Sequence, residues 1–291
     1  MVFDSDRSGN FEIYSMVVSP NPQLGTLRAL TSDPNSDSWW ARVSPDRRPI
    51  VFVRTPRGTH DLDYSKVSLW VMNFDGSNQR LLRAAGRDGW QMQGHPEWSP
   101  DGSQLVVFGG SAWSAQIFII DAETGAIDRP LTDRPGINLD PSWSAVDPGS
   151  VLFLGCPSSP CFELDYEVYR VAVTGGATTR LTTNNHRDHD PYLSRLGTRI
   201  FWSQQTNLAA NAGAGVWSLL SMRPDGSNQT SVTRDGAITS LCQWTMGDDQ
   251  AIYFHRVVAP TNHFGIYRSA ASGGAMTEIL VDGFTNEFPS F

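Results

Sequence analysis

The sequence predicts an all-β fold, a six-bladed β-propeller of four-stranded antiparallel blades, and three observations carry that prediction. An aromatic-bearing strand recurs six times, at Ile13-Tyr14, Leu69-Trp70, Ile117-Phe118, Val168-Tyr169, Val216-Trp217 and Ile266-Tyr267, with intervals of 56, 48, 51, 48 and 50 residues. That period is the length of one blade. Asp-Gly and Gly-Gly pairs, which supply the positive φ of tight hairpins, fall at matching places: Asp75-Gly76, Gly175-Gly176, Asp225-Gly226 and Gly273-Gly274. The chain starts in a second-strand pattern, Val2-Phe3-Asp4, and stops in a first-strand pattern, Phe288-Pro289-Ser290-Phe291. Residues 286–291 are therefore expected to supply the innermost strand of a blade whose other strands come from residues 2–31, closing the ring without an unpaired inner edge.

The third repeat shows the four strands, A to D, most clearly. His95-Pro96-Glu97-Trp98-Ser99 passes through the turn Pro100-Asp101-Gly102 into Leu105-Val106-Val107-Phe108. Gln116-Ile117-Phe118-Ile119-Ile120 follows, then the turn Glu123-Thr124-Gly125 and a last strand ending at Pro130-Leu131-Thr132. The repeat divides the chain into blades at 286–291 plus 1–31, 37–83, 93–132, 138–182, 188–233 and 239–281, a single domain over 1–291. No stretch sustains an apolar period of 3.6, so helices should be few.

Composition narrows the function classes. A net charge of −8 disfavours a nucleic-acid partner, since phosphate binding needs clustered Lys and Arg, and Lys66 is the only lysine. No apolar run approaches the ~20 residues that cross a bilayer as a helix, and a monomer is expected. Cys156 and Cys161 bracket Pro157-Ser158-Ser159-Pro160 in a loop, a spacing open to either a disulfide or two free thiols. A disulfide would place the chain in an oxidising compartment. Cys242 occupies a proline position of the A-strand repeat and reads as a small buried residue. Met1 stands directly before a strand, so any export signal is expected to have been removed.

The segments Asp140-Pro141-Ser142-Trp143-Ser144, Pro96-Glu97-Trp98-Ser99-Pro100-Asp101-Gly102 and Arg180-Leu181-Thr182, with the opening Asp4-Ser5-Asp6-Arg7-Ser8-Gly9, resemble the TolB-type six-bladed propeller repeat over essentially the whole chain. The resemblance implies a periplasmic or secreted protein that binds partner proteins. Similar repeats also occur in propeller domains of peptidases and in seven-bladed oligogalacturonate lyases, which use a His-bound metal. TolB proteins carry an additional N-terminal domain and the lyases one more blade, so neither function transfers whole.

In a propeller the B-to-C and D-to-A connections share one face. The B-to-C loops here, at 55–66, 109–115, 155–166, 204–214 and 256–264, are long and unlike one another, whereas the connections of the other face are short. Such variation marks a face for recognition. All six histidines map to it: His60 and His263 in B-to-C loops, His186 and His189 in a D-to-A loop, His95 at an A-strand start and His255 at a B-strand end. Trp39, Trp40, Trp90 and Trp113 lie in or beside the same loops and form a candidate stacking surface, while Trp98, Trp143 and Trp244 occupy the position that packs between blades. Leu62-Asp63-Tyr64 and Leu164-Asp165-Tyr166 repeat a short motif, with Tyr expected to pack at the start of strand C.

Aligning the A strands shows what rings the channel mouth. Counting back from the repeat Trp gives His95, Asp140 and Asp190 in three consecutive blades, then Leu241 and Phe288, with Trp40 in the remaining blade. His95, Asp140 and Asp190 could bind a divalent cation, with oxygen donors favouring calcium, magnesium or manganese. The favoured alternative makes the Asp-Pro pairs a structural hydrogen-bond ladder. Ser38 or Trp39, Gln93, Asn138, Asp188, Thr239 and Asn286 fall nearby in register and suit sugar or peptide hydrogen bonds.

No Gly-x-Ser-x-Gly elbow, catalytic-Cys signature or phosphate-binding glycine motif occurs. The expected function is therefore a non-catalytic propeller that binds a protein or carbohydrate on its loop-rich face. The candidate ligand-binding residues are Trp39, Trp40, Trp90, Gln93, His95, Trp113, Asn138, Asp188, His189, His255 and His263. The alternative is a metal-dependent polysaccharide lyase or hydrolase that uses the histidines of that face.

Overall fold

A computed structural model describes residues 1–18, 21–156, 166–205, 217–233, 250–258 and 263–291, and residues 239–246 by their backbone. Its strands form six four-stranded antiparallel sheets arranged as the blades of a ring. Blade I holds β1 (Val2–Ser5), β2 (Glu12–Val17) and β3 (Gln23–Ala29) together with the last strand of the chain. Blade II is β4 (Ser36–Val43), β5 (Pro49–Pro56), β6 (Ser68–Asn73) and β7 (Arg80–Arg83). Blade III is β8 (Met92–Trp98), β9 (Gln104–Ser111), β10 (Ser114–Asp121) and β11 (Ile127–Pro130). Blade IV is β12 (Asn138–Ser144), β13 (Asp147–Gly155), β14 (Glu167–Ala172) and β15 (Thr178–Arg180). Blade V is β16 (Arg187–Leu193), β17 (Ile200–Gln205), β18 (Trp217–Met222) and β19 (Thr230–Ser231). Blade VI is β20 (Thr239–Met246), β21 (Ala251–Val258), β22 (His263–Ala270) and β23 (Thr277–Leu280), and β24 (Asn286–Ser290) returns to blade I.

Ring closure is visible in the pairing of β24 with β1, where Asp4 faces Glu287 and Ser5 faces Asn286. Arg7 adds hydrogen bonds to Asn286 at 2.6 Å and Asp282 at 3.0 Å, tying the two ends side chain to side chain. Only short 3-10 turns, Tyr64–Lys66 and Arg87–Gly89, interrupt the strands among the described residues.

The second strand of each blade is buried on both faces, because each sheet packs against its neighbours, and its sequence is accordingly a run of apolar residues. Phe3, Phe52, Phe108, Phe153, Phe201 and Phe254, one from each such strand, are at most 1% exposed. Trp98 packs between blades as expected and donates its indole N–H to the Arg42 carbonyl at 2.9 Å. Trp143 is partly buried against the core between blades III and IV, and Trp244 lies outside the described side chains. One loop differs from expectation. Residues 109–115 are not a long connection: β9 and β10 pair through Ser111 and Ser114, leaving Ala112 and Trp113 as a two-residue tip. β21 and β22 likewise extend pairing to Val258 and His263.

The innermost strands share one irregularity that directs the site. Pairing with the second strand slips between Trp39 and Arg42, Gly94 and Glu97, Leu139 and Ser142, His189 and Tyr192, and Ser240 and Trp244, and β24 slips against β1. At these bulges Trp40, His95, Asp140, Asp190 and Phe288 adopt φ of 46–52°. Non-glycine residues avoid this region at a cost of order 1–3 kcal/mol each. Four of the five are followed by proline, Pro96, Pro141, Pro191 and Pro289. Proline lacks the N–H that a regular ladder would require, so a bulge is where an inner strand accepts it.

Below the bulges a buried polar group crosses the channel. Arg42, 1% exposed, pairs with the Glu97 carboxylate and donates to the Tyr192 hydroxyl at 2.8 Å, and that hydroxyl donates to Glu97 at 3.0 Å. The guanidinium also lies 4.2 Å from the Trp40 ring centroid. Removing one partner of such a group leaves an uncompensated buried charge, at about 3–5 kcal/mol. Glu97→Ala is thus expected to lose about 3–5 kcal/mol of unfolding free energy in urea titration, and a loss below about 1 kcal/mol would show that the network is not a stabilising tie.

Candidate binding site at the channel mouth

Above this network the channel widens into a cavity of about 570 Å³, and all five described bulge residues line it. Leu241, the sixth by alignment, lies outside the described side chains. The left-handed turn of the backbone rotates each bulge residue towards the channel, which simple strand alternation would not do. His60, His189 and His255 join His95 on the wall.

A continuous hydrogen-bonded chain runs along one side. The Tyr64 hydroxyl lies 2.5 Å from Asp61 Oδ1 and 2.7 Å from His95 Nε2, and His95 Nδ1 lies 2.5 Å from Asp140 Oδ1. His189 Nδ1 approaches Asp140 Oδ2 at 3.4 Å. Burial holds the Tyr64 phenol well above its ordinary pKa, with the charges of Asp61 and Asp140 adding to it, so its one proton is available to donate to Asp61. Burial disfavours the charge of Asp140, yet His95 and His189 outweigh it and hold this carboxyl far below the usual range. Tyr64 and Asp140 together engage both His95 nitrogens. The imidazole stacks flat on Trp40 at 3.7 Å and 7°.

Tyr64 was visible in the sequence as part of a repeated motif, but its role was not. Its 3-10 turn is capped by Asp63, whose side chain accepts from the Ser65 N–H. Gly94 makes room for it: a β-carbon there would stand 2.9 Å from Phe108 and 3.0 Å from Tyr64. The motif's second tyrosine, Tyr166, meets His189 edge-on at 5.8 Å and 81°. Each tyrosine of the pair therefore contacts a histidine of the next blade.

On the opposite side, three residues from separate segments converge. His60 Nε2 lies 3.0 Å from Asp4 Oδ2 and 3.6 Å from Glu287 Oε2, and its ring stacks on Phe11 at 3.6 Å. Asp37 sets the loop, because one carboxylate oxygen accepts from the N–H groups of Gly58, Thr59 and His60. Burial would lower the His60 pKa, but the hydrogen bond to Asp4 and the charge of Glu287 raise it to about 9. Burial, with the nearby Asp4 charge, raises Glu287 to about 8 against the pull of His60. His255 behaves oppositely: burial, then the charges of His60 and Arg42, lower it to about 3. Its Nδ1 accepts the Phe288 N–H at 3.1 Å, so this neutral imidazole supports the bulge of β24.

Several expected ligand contacts are corrected. Gln93, Asn138 and Asp188 are at most 2% exposed and do not line the cavity. Gln93 accepts from Arg83 and donates to the carbonyls of Val67 and Ala84. Asn138 donates to Ala115 and Gln116, and Asp188 accepts from Trp202, Gln204, Thr182 and Asn184. Their hydrogen-bonding capacity serves blade and loop contacts, and the cavity is lined instead by neighbouring inner-strand residues such as Leu139 and His189 and by the bulge residue two positions later. The four tryptophans do not form one stacking surface either. Trp40 lines the cavity, Trp39 is core behind it, Trp90 is buried beneath the Arg83 guanidinium, and Trp113 stands 85% exposed away from the cavity wall. His263 bonds Thr285 at 3.2 Å, and neither it nor His186 lines the cavity.

Two groups have donor atoms within 4.8 Å of one another, as a metal ion would require: His95, Asp140 and Asp190, and Asp4, His60 and Glu287. In the first, both His95 nitrogens are engaged by Tyr64 and Asp140, so no imidazole lone pair faces the cavity. In the second, His60 already engages both carboxyls through Nε2. Among the described residues each group keeps a carboxylate oxygen without a hydrogen bond, on Asp190 and on Asp4, but its histidine is already engaged by neighbouring side chains.

No family model matches the chain. The TolB crystal structure from Acinetobacter baumannii superimposes with a TM-score of 0.74 at 13% identity, covering 99% of this chain and 65% of that one. The fold is that of the TolB propeller. A Tol-Pal system protein TolB from Rhizorhabdus wittichii is 35% identical over 80 residues, which is 27% of this chain and 17% of that protein. The chain thus spans less than two thirds of either TolB. An oligogalacturonate lyase in complex with manganese shares the fold with a TM-score of 0.62 at 11% identity, over 96% of this chain and 73% of that one. At such identities the likeness to TolB and to the lyase is one of fold alone.

The His60 cluster makes stability depend on pH. Both His60 and Glu287 have folded-state values above their unfolded ones, so each binds more protons when folded and stability falls as pH rises. The His60 contribution is complete below pH 6.5 and disappears as pH passes about 9. Urea midpoints measured across this window should fall with pH in the native chain and fall less in His60→Gln. Equal slopes would show that His60 does not drive the effect.

Proposed function

We propose that this chain is a non-catalytic binding propeller whose channel mouth takes a projecting segment of a partner protein. The supporting observation is the cavity itself, in which aromatic and aliphatic side chains predominate and most polar groups bond one another. A concave apolar site with few polar groups left for a ligand suits an inserted side chain more than catalysis by displaced protons. The fold likeness to TolB, named for the Tol-Pal system, is consistent with protein recognition.

Cys156 is disulfide-bonded, and the other two cysteines, Cys161 and Cys242, lie outside the described side chains. That bond supports an extracytoplasmic location, periplasmic or secreted, since cytosolic thiols stay reduced. Among the described residues no helix is long and apolar enough to cross a membrane.

Leu62, 79% exposed at the cavity rim, gives a test that spares the core. A displayed peptide library is panned against the immobilised protein, with a glycan array run in parallel. Peptides should be enriched, should lose about tenfold or more in affinity, near 1.4 kcal/mol, on Leu62→Arg, and should tolerate Arg47→Ala on the opposite face. Enrichment of glycans alone would replace protein with carbohydrate as the ligand, and peptides indifferent to Leu62→Arg would remove the cavity from the binding face.

A further inference from the structure

The carboxyl groups on the cavity wall are unequal. Asp61 accepts from Tyr64, Asp140 faces His95 and His189, and Glu287 faces His60. Asp190 is 3% exposed and lines the same cavity, yet among the described residues no hydrogen bond or ion pair holds its carboxyl. It is set there by backbone in the left-handed region at φ 48° and followed by Pro191, so its direction is built into the strand rather than left to a mobile side chain. Burial, with the neighbouring Asp140 charge, holds this carboxyl well above its ordinary pKa, so it stays neutral until an arriving cation stabilises its ionised form, and a buried polar group without a hydrogen bond calls for such an explanation.

The surroundings say what that partner is. Tyr64, Tyr166, Trp217, Phe264 and Phe288 line the cavity, while Trp40 is covered on its two faces by His95 and Arg42. Ring faces attract organic cations, and they add little to the binding of a hydrated metal ion. A metal would also need several free donors, and here His95 is engaged on both nitrogens and Asp140 faces two histidines, which leaves the Asp190 carboxyl and His189 Nε2, fewer than the usual set for such an ion. One free carboxyl among aromatic walls is the arrangement that recognises a nitrogen cation carried on an apolar stem.

We propose that the cavity recognises a lysine- or arginine-like side chain, with Asp190 as counter-ion to its ammonium or guanidinium and the aromatic wall as its sleeve. This rests on the reading of the channel mouth as a protein-binding site and specifies the residue that the partner inserts. It also assigns Asp190 a role that the His95–Asp140 chain beside it does not share.

The experiment uses calorimetry on the full chain with Nα-acetyl-lysine N-methylamide, its arginine counterpart and the uncharged norleucine analogue, and separately with manganese and calcium ions. The lysine or arginine compound is expected to bind at least about tenfold more tightly than the norleucine analogue, and Asp190→Asn is expected to remove that preference while leaving the norleucine affinity unchanged. Equal binding of the three compounds overturns the cation assignment but leaves the cavity as a ligand site. Binding of metal alone, or of nothing at concentrations up to about 10 mM, overturns it as well, and in the last case peptides selected through the Leu62→Arg contrast would still report on the broader reading. Should Asp190→Asn fail to fold, the contrast between lysine and norleucine in the native chain decides the matter.

Discussion

The functional face of this propeller depends on a backbone constraint, the bulge that each inner strand places just before its repeat tryptophan position. A regular strand sends alternate side chains to opposite faces. Here five described inner strands hold a non-glycine residue at φ near 50°, and those five residues meet at the channel mouth. The conformation is unfavourable in isolation, and the surroundings stabilise it: His255 accepts the N–H of Phe288, Trp40 lies between His95 and Arg42, and the prolines need no ladder hydrogen bond. The ring repeats this device in blade after blade, and only the side chain mounted on it changes.

The residues so mounted divide the mouth into two electrostatic halves. One is the chain from Asp61 through Tyr64, His95 and Asp140 towards His189, in which each polar group has a neighbour. The other is the His60 cluster at the seam where β24 joins β1, linking a loop of blade II to both strands that close the ring. The closing strand therefore does more than complete a sheet. Glu287 and Phe288 stand on it, so closure and the cavity wall are built from the same few residues.

Much of this was legible in the residues. The alignment of the A strands picked out Trp40, His95, Asp140, Asp190 and Phe288 as a ring without any coordinates, because the Pro of the repeat, its Trp or both mark the position in every blade but the one that holds Trp40. The same alignment misread Gln93, Asn138 and Asp188, whose polar groups are taken up by neighbouring strands and loops rather than by the channel. Tyr64, Asp4 and Glu287 escaped as site residues for another reason. Each lies far in sequence from its partner, His95 or His60, and nothing in local pattern reports a contact across blades.

Sequence alone was sufficient to determine the blade count and the strand order, because period, turn chemistry and apolar runs are local properties that repeat. Tertiary structure decided which polar groups are engaged with one another and which is left facing the cavity. Asp140 and Asp190 occupy equivalent Asp-Pro positions, and only the arrival of His95 and His189 beside the first makes the second the unpartnered one. Burial and cross-blade distance set that difference, and neither is written in the order of the residues.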